Sequence, residues 1–530
     1  MNNQQFSFDE FNASSLLVRS LINEEPSINK FSGSFFSDEN IANRASERQF
    51  SEEKRNLLFD VLNKQNSNIK LSAKSKANIS ELKKSNAFTI TTGHQLNMAT
   101  GPLYTLYKIL EVINWTEKLN NSQSENYYIP IFWMATEDHD FQEINHINLF
   151  GTKIDWEHES VNNSVVGRIE LNPSSKFVEA VLEKFSNEEL KLKVSNFLKV
   201  YSNNSDLASA NRSMINSLFG EYGLVIIDGD DKQLKQEFTD IARSEIKNQM
   251  IYKYVSDINT ALSVNGFHNQ VYVRELNLFY IEPKGERIRI EKKEDKFLIK
   301  NQVYDEKSLI DLLDEFPERF SPNALLRPVY QELVLPNITY IGGGGEIAYW
   351  LQLKYAFEGF GIQFPLLKVR ESVLVVDEKM KNQMDNFGYS ILDLKQDIDF
   401  LIKDFLKKTQ TVELSLNDQK NELQLIKSAV LEKALLVDKN ATTFIESEFQ
   451  RMDNQLDKME KKFIASEKKN QEKTIKQLRR LQDRLYPNGG FQERHENYLS
   501  YIHIPNFVDN IKTELKKRMT TKAVIQVLDI

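Results

Sequence analysis

The 530-residue chain contains no cysteine. That excludes disulfides, thiolate zinc sites, iron–sulfur clusters and a cysteine nucleophile, and it suits a reducing compartment. No run of about 18 apolar residues occurs, so no membrane-crossing helix is expected. The stretch Met1 to Glu10 is polar, carries Asp9 and Glu10 and lacks the basic and apolar regions of a secretory signal, so the expected location is cytoplasmic. Positive charge is not in excess either. With 68 Lys and Arg against 76 Asp and Glu, the net charge is −8, which gives no electrostatic case for nucleic acid or an anionic membrane as partner. Residues 378–485 hold no proline and a single glycine, Gly388, so they lack helix breakers.

What is present is ordinary for a globular chain: 40% apolar and 27% charged residues, in a length that suits about three or four domain-sized units. Residues 1–148 read as N-terminal helices followed by the first half of an α/β core. In it a β-branched run, Phe88 to Thr92, meets Gly93-His94-Gln95, and a helix is expected to open at Gly101-Pro102, where the missing proline N–H costs nothing. An Asn/Ser-rich break, Asn120 to Asn126, precedes an apolar strand from Tyr128 to Ala135. Residues 149–211 read as a first insertion, a hairpin-like piece followed by amphipathic helices, and 212–262 continue the core with a strand over 223–230. A second insertion, 263–330, alternates apolar and charged residues over 271–299 as a small antiparallel piece does. Residues 331–377 complete the core: Ile338 to Ile341 runs into four glycines and a helix to Phe357, then one more buried strand follows within Phe364 to Val376. Strands alternating with helices imply a mainly parallel sheet. Residues 378–485 read as a helical arm, with Thr442 to Leu485 about 65 Å long if one helix. Leu456, Met459 and Phe463 hold an a/d register that Ile475, Leu478 and Leu485 resume out of phase, the mark of an imperfect coiled coil or helical hairpin. Residues 486–530 form a C-terminal return element.

Four constellations could carry chemistry. His94, between Gly93 and Gln95 and close to Gly101, Pro102 and Tyr104, lies where a helix N-terminus favours an anion, so its imidazole could contact a phosphoryl oxygen or simply pack in a turn. Glu137, Asp138, His139 and Asp140, with Glu143, Asn145 and His146 following, form the densest polar cluster, at the carboxyl end of a buried strand. They offer acid/base groups or oxygen and nitrogen ligands, although their spacing fits no standard metal pattern, and a solvated turn is the plain alternative. Gly342, Gly343, Gly344 and Gly345 before Glu346 allow close backbone approach but lack the P-loop ending; Glu346 would hold an ammonium or ribose hydroxyls. Lys368 and Arg370 place two cations near the last core strand, suited to a polyphosphate or a carboxylate.

Together these stretches resemble the cysteine-adding enzymes of bacillithiol biosynthesis, the BshC family. The matching residues are Thr92 to Gln95, Thr100 to Tyr104, Phe132 to His146, Leu335-Pro336, Tyr340 to Gly343, Gly345 to Trp350 and Phe491 to Arg494, in order and across nearly the whole chain. The resemblance implies an α/β fold with a Rossmann-like, nucleotidyl-transferase-type parallel core, two inserted connecting subdomains and a long coiled-coil arm that pairs subunits as a homodimer. It implies a ligase that adds L-cysteine to glucosaminyl-malate by amide formation, with ATP and magnesium as the candidate energy source. By the same resemblance His94 takes the phosphate-contacting role, Lys368 and Arg370 fall where a mobile basic loop belongs, and Asp138, His139 and Lys368 join His94 as catalytic candidates. Gly93, Gln95, Gly101, Pro102, Tyr104, Glu137, Asp140, Asn145, the four glycines, Glu346, Tyr349, Trp350 and Arg370 are then expected around substrate or nucleotide, the acidic cluster and Glu346 taking the substrate amines. No Lys-Met-Ser-Lys-Ser-like loop is present, and any zinc would fall to His139, His146 and carboxylates. No metal is assigned. Two other classes stay open on the residues alone: a non-catalytic nucleotide- or sugar-binding scaffold of the thiol pathway, and a nucleotidyl transferase with another acceptor.

Overall fold

The strand Ala87–His94 is buried over its first seven residues, as expected for β-branched residues with a strand on either side and a layer on each face. It sits at the centre of a five-stranded sheet in the computed structural model, which describes residues 4–122, 125–158, 163–171, 175–409, 414–438 and 440–529. The sheet order is Leu366–Val369, Asn337–Gly342, Ala87–His94, Tyr127–Met134, Val225–Asp228, and every pairing is parallel. The chain builds three strands outward in one direction and then returns to add two on the other side. The order therefore reverses between Ala87–His94 and Asn337–Gly342. In open parallel sheets the crevice outside the carboxyl ends at such a reversal is where ligands bind.

Helix Tyr104–Asn120 packs along this sheet and is buried over most of its length. On one side it shares an apolar core with Phe132, the helices of 175–219, and Leu499, Phe507 and Ile511 of the C-terminal return. On the other side Val112 and Trp115 join Phe36, Ile90 and Ile338, with Phe36 edge-on to Trp115 at 4.7 Å. Burying each such side chain is worth about 1.5–3 kcal/mol. The hairpin His146–Leu149 with Thr152–Asp155 opens the first insertion. The second carries an antiparallel sheet ordered Gln302–Tyr304, Lys296–Ile299, Arg287–Lys293, Leu278–Ile281, Phe320–Pro322. Gln123 and Ser124 of the break after helix Tyr104–Asn120 lie outside the described residues.

Three expectations change in detail. The helix opens at Tyr104, beyond Gly101-Pro102, because Ala99, Thr100 and Gly101 all take positive φ (45°, 71° and 68°) and turn the chain first. The stretch Phe364 to Val376 is two strands. Leu366–Val369 ends the parallel sheet, whereas Ser372–Val376 belongs to a three-stranded sheet with Ile525–Asp529 and Gln5–Phe6. The break falls at Arg370-Glu371, whose charged groups are fixed inside the protein and turn the chain between sheets. The helix after the glycines stops at Trp350, and Lys354–Gly359 is a separate one.

The chain forms two compact units, 1–375 with 492–530, and 376–491. Within the second, Asn417–Val437 packs against Ala441–Asn470, and Lys420 bonds Asp457 and Glu460 across the pair, each at 2.7 Å. This is a helical hairpin. Gln471 interrupts the run expected from Thr442 to Leu485, so the helices are Ala441–Asn470 and Glu472–Leu485. The latter buries Ile475, Leu478, Leu481 and Leu485 on one face. Leu425, Ile426, Phe444, Met459 and Phe463 of the hairpin are exposed.

Candidate active site

A cavity of about 590 Å³ opens at the sheet reversal, lined by residues following four of the parallel strands and by the second insertion. His94, the last residue of the central strand, enters it through a corner held in strained backbone. Left-handed φ at Ala99 and at β-branched Thr100 is unfavourable, and persists only where surroundings over-determine it. Here the Asn497 amide donates to the Ala99 and Gly101 carbonyls at 2.8 and 2.7 Å, and the Ala99 N–H donates to the Tyr201 hydroxyl at 2.5 Å. Gly101 admits no side chain, since a Cβ would lie 2.5 Å from that of Asn97. Asn97 in turn donates to His94 Nε2 at 2.8 Å, which assigns the ring proton to Nδ1. Burial, then the charges of Lys108 and Arg370, hold the imidazole well below its ordinary 6.5, so His94 is a neutral N–H donor.

Lys108, one turn into the core helix, is almost wholly buried and donates to the Gly93 carbonyl at 2.7 Å and to Glu346 Oε1 at 2.8 Å. The other Glu346 oxygen accepts the Gly343 N–H at 2.9 Å and caps its helix. Glu346 lines the cavity with its charge already matched by Lys108. Glu137 is likewise paired, with Lys235, whose ammonium is fully buried and also donates to the Phe320 carbonyl at 2.7 Å. Burial raises the Glu137 pKa against the pull of Lys235. Burial pushes Asp138 the same way, but hydrogen bonds from His139 and Gln95 and the charge of Arg287 outweigh it and keep the carboxyl strongly acidic. Gln95 Nε2 donates at 2.7 Å to Asp138 and at 2.7 Å to Glu143. His139 Nδ1 accepts from Arg287 at 3.1 Å, and Arg287 also donates to the Ser321 hydroxyl and the Pro322 carbonyl.

Four arginines, Arg274, Arg287, Arg289 and Arg327, line the cavity against three carboxylates. Arg327 bonds Gln331 at 2.9 Å and stands about 6 Å from the rings of Trp133, Tyr340 and Trp350. Arg287 and Arg289, alternate residues of one strand, both lie over Phe279, at 4.0 and 4.7 Å from its centroid. Arg274 and Arg289 have no side-chain hydrogen bond or ion pair among the described residues; burial, then the charge of Arg274, lowers the affinity of Arg289 for a proton against the pull of Glu291. The wall of the cavity is therefore cationic, with charge left over.

Of the expected site residues, Gly93, His94, Gln95, Tyr104, Glu137, Asp138, His139, Glu346 and Tyr349 meet at this cavity. Gly101 and Pro102 line an adjoining one of about 450 Å³, which shares Gln95 and Tyr104 with the first. Asp140 is exposed and Asn145 is buried beside Trp156, neither on the cavity wall. Gly343 serves as the helix cap, Gly342 O accepts the Arg370 N–H at 2.8 Å, Gly344 and Gly345 open the helix, and Trp350 stacks on Tyr340 at 4.2 Å.

Lys368 and Arg370 are corrected most. Lys368 is buried against Phe36 and Trp115 and bonds Glu111 at 2.5 Å; Arg370 is forked onto Glu493 at 2.7 and 2.9 Å. Neither lines the cavity, and each is held by a buried carboxylate. Among the described residues no group of three or more His, Asp or Glu could hold a metal ion, so His139 and His146 are not assembled as ligands.

The sequence reading missed Lys108, Lys235, Arg274, Arg287, Arg289 and Arg327. Lys108 had a signal, a lone cation on an otherwise apolar helix, and such residues are buried only when paired. Arg287 and Arg289 had another, two arginines at the spacing that puts both on one face of a strand.

Residues 1–371 match the family described as "Bacillithiol biosynthesis BshC, N-terminal Rossmann-like domain", and residues 373–527 its "C-terminal coiled-coil domain". A protein of Flavobacterium johnsoniae provisionally named cysteine ligase BshC is 38% identical over 488 residues, covering 91% of this chain and 90% of that one. Its namesake in Flavobacterium psychrophilum is 36% identical over 524 residues and 97% of each. Another in Christiangramia forsetii is 34% identical over 505 residues and 93% of each.

Proposed function

This chain belongs to the BshC family of bacillithiol biosynthesis, and from that premise we propose that its cationic cavity binds the dicarboxylate end of glucosaminyl-malate for joining to L-cysteine. It is a cysteine ligase, forming a carbon–nitrogen bond. The observation that carries the substrate assignment is the unmatched pair Arg274 and Arg289 in a wall whose carboxylates are all engaged. Guanidinium forks suit carboxylates, and an anion entering such a wall gains charge-assisted hydrogen bonds.

The same wall helps the chemistry. Amide formation needs the sugar nitrogen as a free amine, and nearby cations disfavour its ammonium form. The amine nitrogen bonds to the activated carboxyl carbon of cysteine, the leaving group departs with the carbon–oxygen electrons, and the nitrogen loses a proton. Negative charge builds on the carboxyl oxygen or on the departing group, and the neutral His94 N–H stands ready to donate to it. One such preorganised donor is typically worth about 10²–10³ in rate. We further infer that the exposed apolar face of the helical hairpin pairs two copies of the chain, and that the enzyme works in the cytoplasm.

Mass spectrometry of the purified protein with glucosaminyl-malate and cysteine, with and without ATP and magnesium, tests the reading. Appearance of the condensed thiol supports it, and dependence on ATP identifies the energy donor. No product under any nucleotide condition, with both substrates shown to bind, would overturn it.

A further inference from the structure

We propose that the two adjoining cavities are two halves of one site, the arginine-walled one for the sugar acid and the smaller one for the amino acid, with the new bond made at Gln95 and Tyr104 between them. This rests on the ligase reading above and adds to it which compartment takes which reactant.

The two linings have only Gln95 and Tyr104 in common. Gln95 is physically the bridge, since its single amide nitrogen donates to Asp138 in the large cavity and to Glu143 in the small one. The Tyr104 hydroxyl is the other shared group. Burial, with Glu346 adding, pushes its pKa up to about 12, so it keeps its proton, and it has no hydrogen-bond partner among the described residues. A joining enzyme must bring its reacting atoms to about 3–3.5 Å from separate compartments, and a boundary made of one bridging amide and one free hydroxyl is where that approach can be governed.

Charge distributes the reactants. The large cavity has surplus guanidinium, suited to a polyanion. The small one offers one of each sign: Arg494, exposed and free of hydrogen bonds and ion pairs among the described residues, and Glu143, an exposed carboxylate whose one partner among the described residues is Gln95. That is the complement of an α-amino-acid zwitterion, Arg494 for its carboxylate and Glu143 for its ammonium. His146 and His495 complete the wall. Burial, then Lys153, lowers the first, and burial, then Arg494, lowers the second, so both present uncharged rings to a thiol side chain.

Calorimetric titration of the full chain with L-cysteine alone and with glucosaminyl-malate alone tests this. Arg494→Ala is expected to weaken cysteine binding about tenfold or more while leaving glucosaminyl-malate unchanged, and Arg289→Ala to do the reverse. Saturation with one ligand should not displace the other, and Tyr104→Phe should lower kcat with little change in either affinity. Competition between the two ligands, or an Arg494→Ala protein with unaltered cysteine affinity, would overturn the assignment. Wild-type protein that binds neither ligand would overturn the ligase reading itself, and the compartments with it.

Discussion

Two clusters of cations flank the core helix and differ in one respect. At the seam between sheets, Lys368 is matched by Glu111 and Arg370 by Glu493, and these charges are closed off from water. At the sheet reversal, Lys108 and Lys235 are matched in the same way, but Arg274 and Arg289 are not. A cation near a strand end is therefore no sign of a site by itself. Its protein partners decide: where every charge is answered within the chain the cluster is structural, and where charge is left over the cluster waits for a ligand.

The largest effect should come from breaking the seam. Removing one partner of a buried pair leaves the other uncompensated, so Glu493→Ala should cost about 3–5 kcal/mol in denaturant unfolding. A loss below about 1 kcal/mol would show that the seam is not closed as described. On the cavity side, His94→Ala should keep the wild-type melting temperature and lose about 10²–10³ in kcat. With the imidazole already neutral, kcat/KM should show no inflection near pH 6.5, and an inflection removed by this substitution would contradict its assigned state.

The seam also predicts a pH dependence. Glu371, buried and facing Glu111 with Lys368 as counter-charge, is raised from 4.5 to about 8. A carboxyl raised on folding contributes stability that is complete below its ordinary pKa and fades as pH climbs through the folded one. Melting temperature should therefore fall between about pH 5 and 8, and Glu371→Gln should flatten that slope. An unchanged slope would assign the titration elsewhere. The smallest effect belongs to Lys368→Met, an apolar replacement of similar length: after correction for folded fraction, product formation should match the wild type, because the ammonium never reaches the cavity.

Much of this was legible beforehand. Buried β-branched runs ending in polar residues marked the parallel strands, and their order placed His94, Glu137, Asp138 and Glu346 at neighbouring carboxyl ends. Periodicity could not show the left-handed corner, because nothing in Ala99-Thr100-Gly101 except the glycine favours positive φ; it is imposed by Asn497 and Tyr201, far along the chain. Nor could it separate Lys368 from Arg289. Both are cations on strands, and the carboxylate that claims the first, Glu111, is 257 residues away in sequence. Pairing across such distances is a property of packing. The gap at Gln471 shows the same limit at smaller scale, since its neighbours are as helix-prone as the rest of the arm.

The most direct measurement is a calorimetric titration of glucosaminyl-malate into wild-type protein and into the double variant Arg274→Ala, Arg289→Ala, with malate-free glucosamine as the control. The double variant should fold as well as the wild type, bind glucosaminyl-malate at least about tenfold more weakly, and no longer prefer it over glucosamine. Equal affinity in both proteins would contradict this, because the charge left unmatched in the cavity would then have no part in holding the substrate.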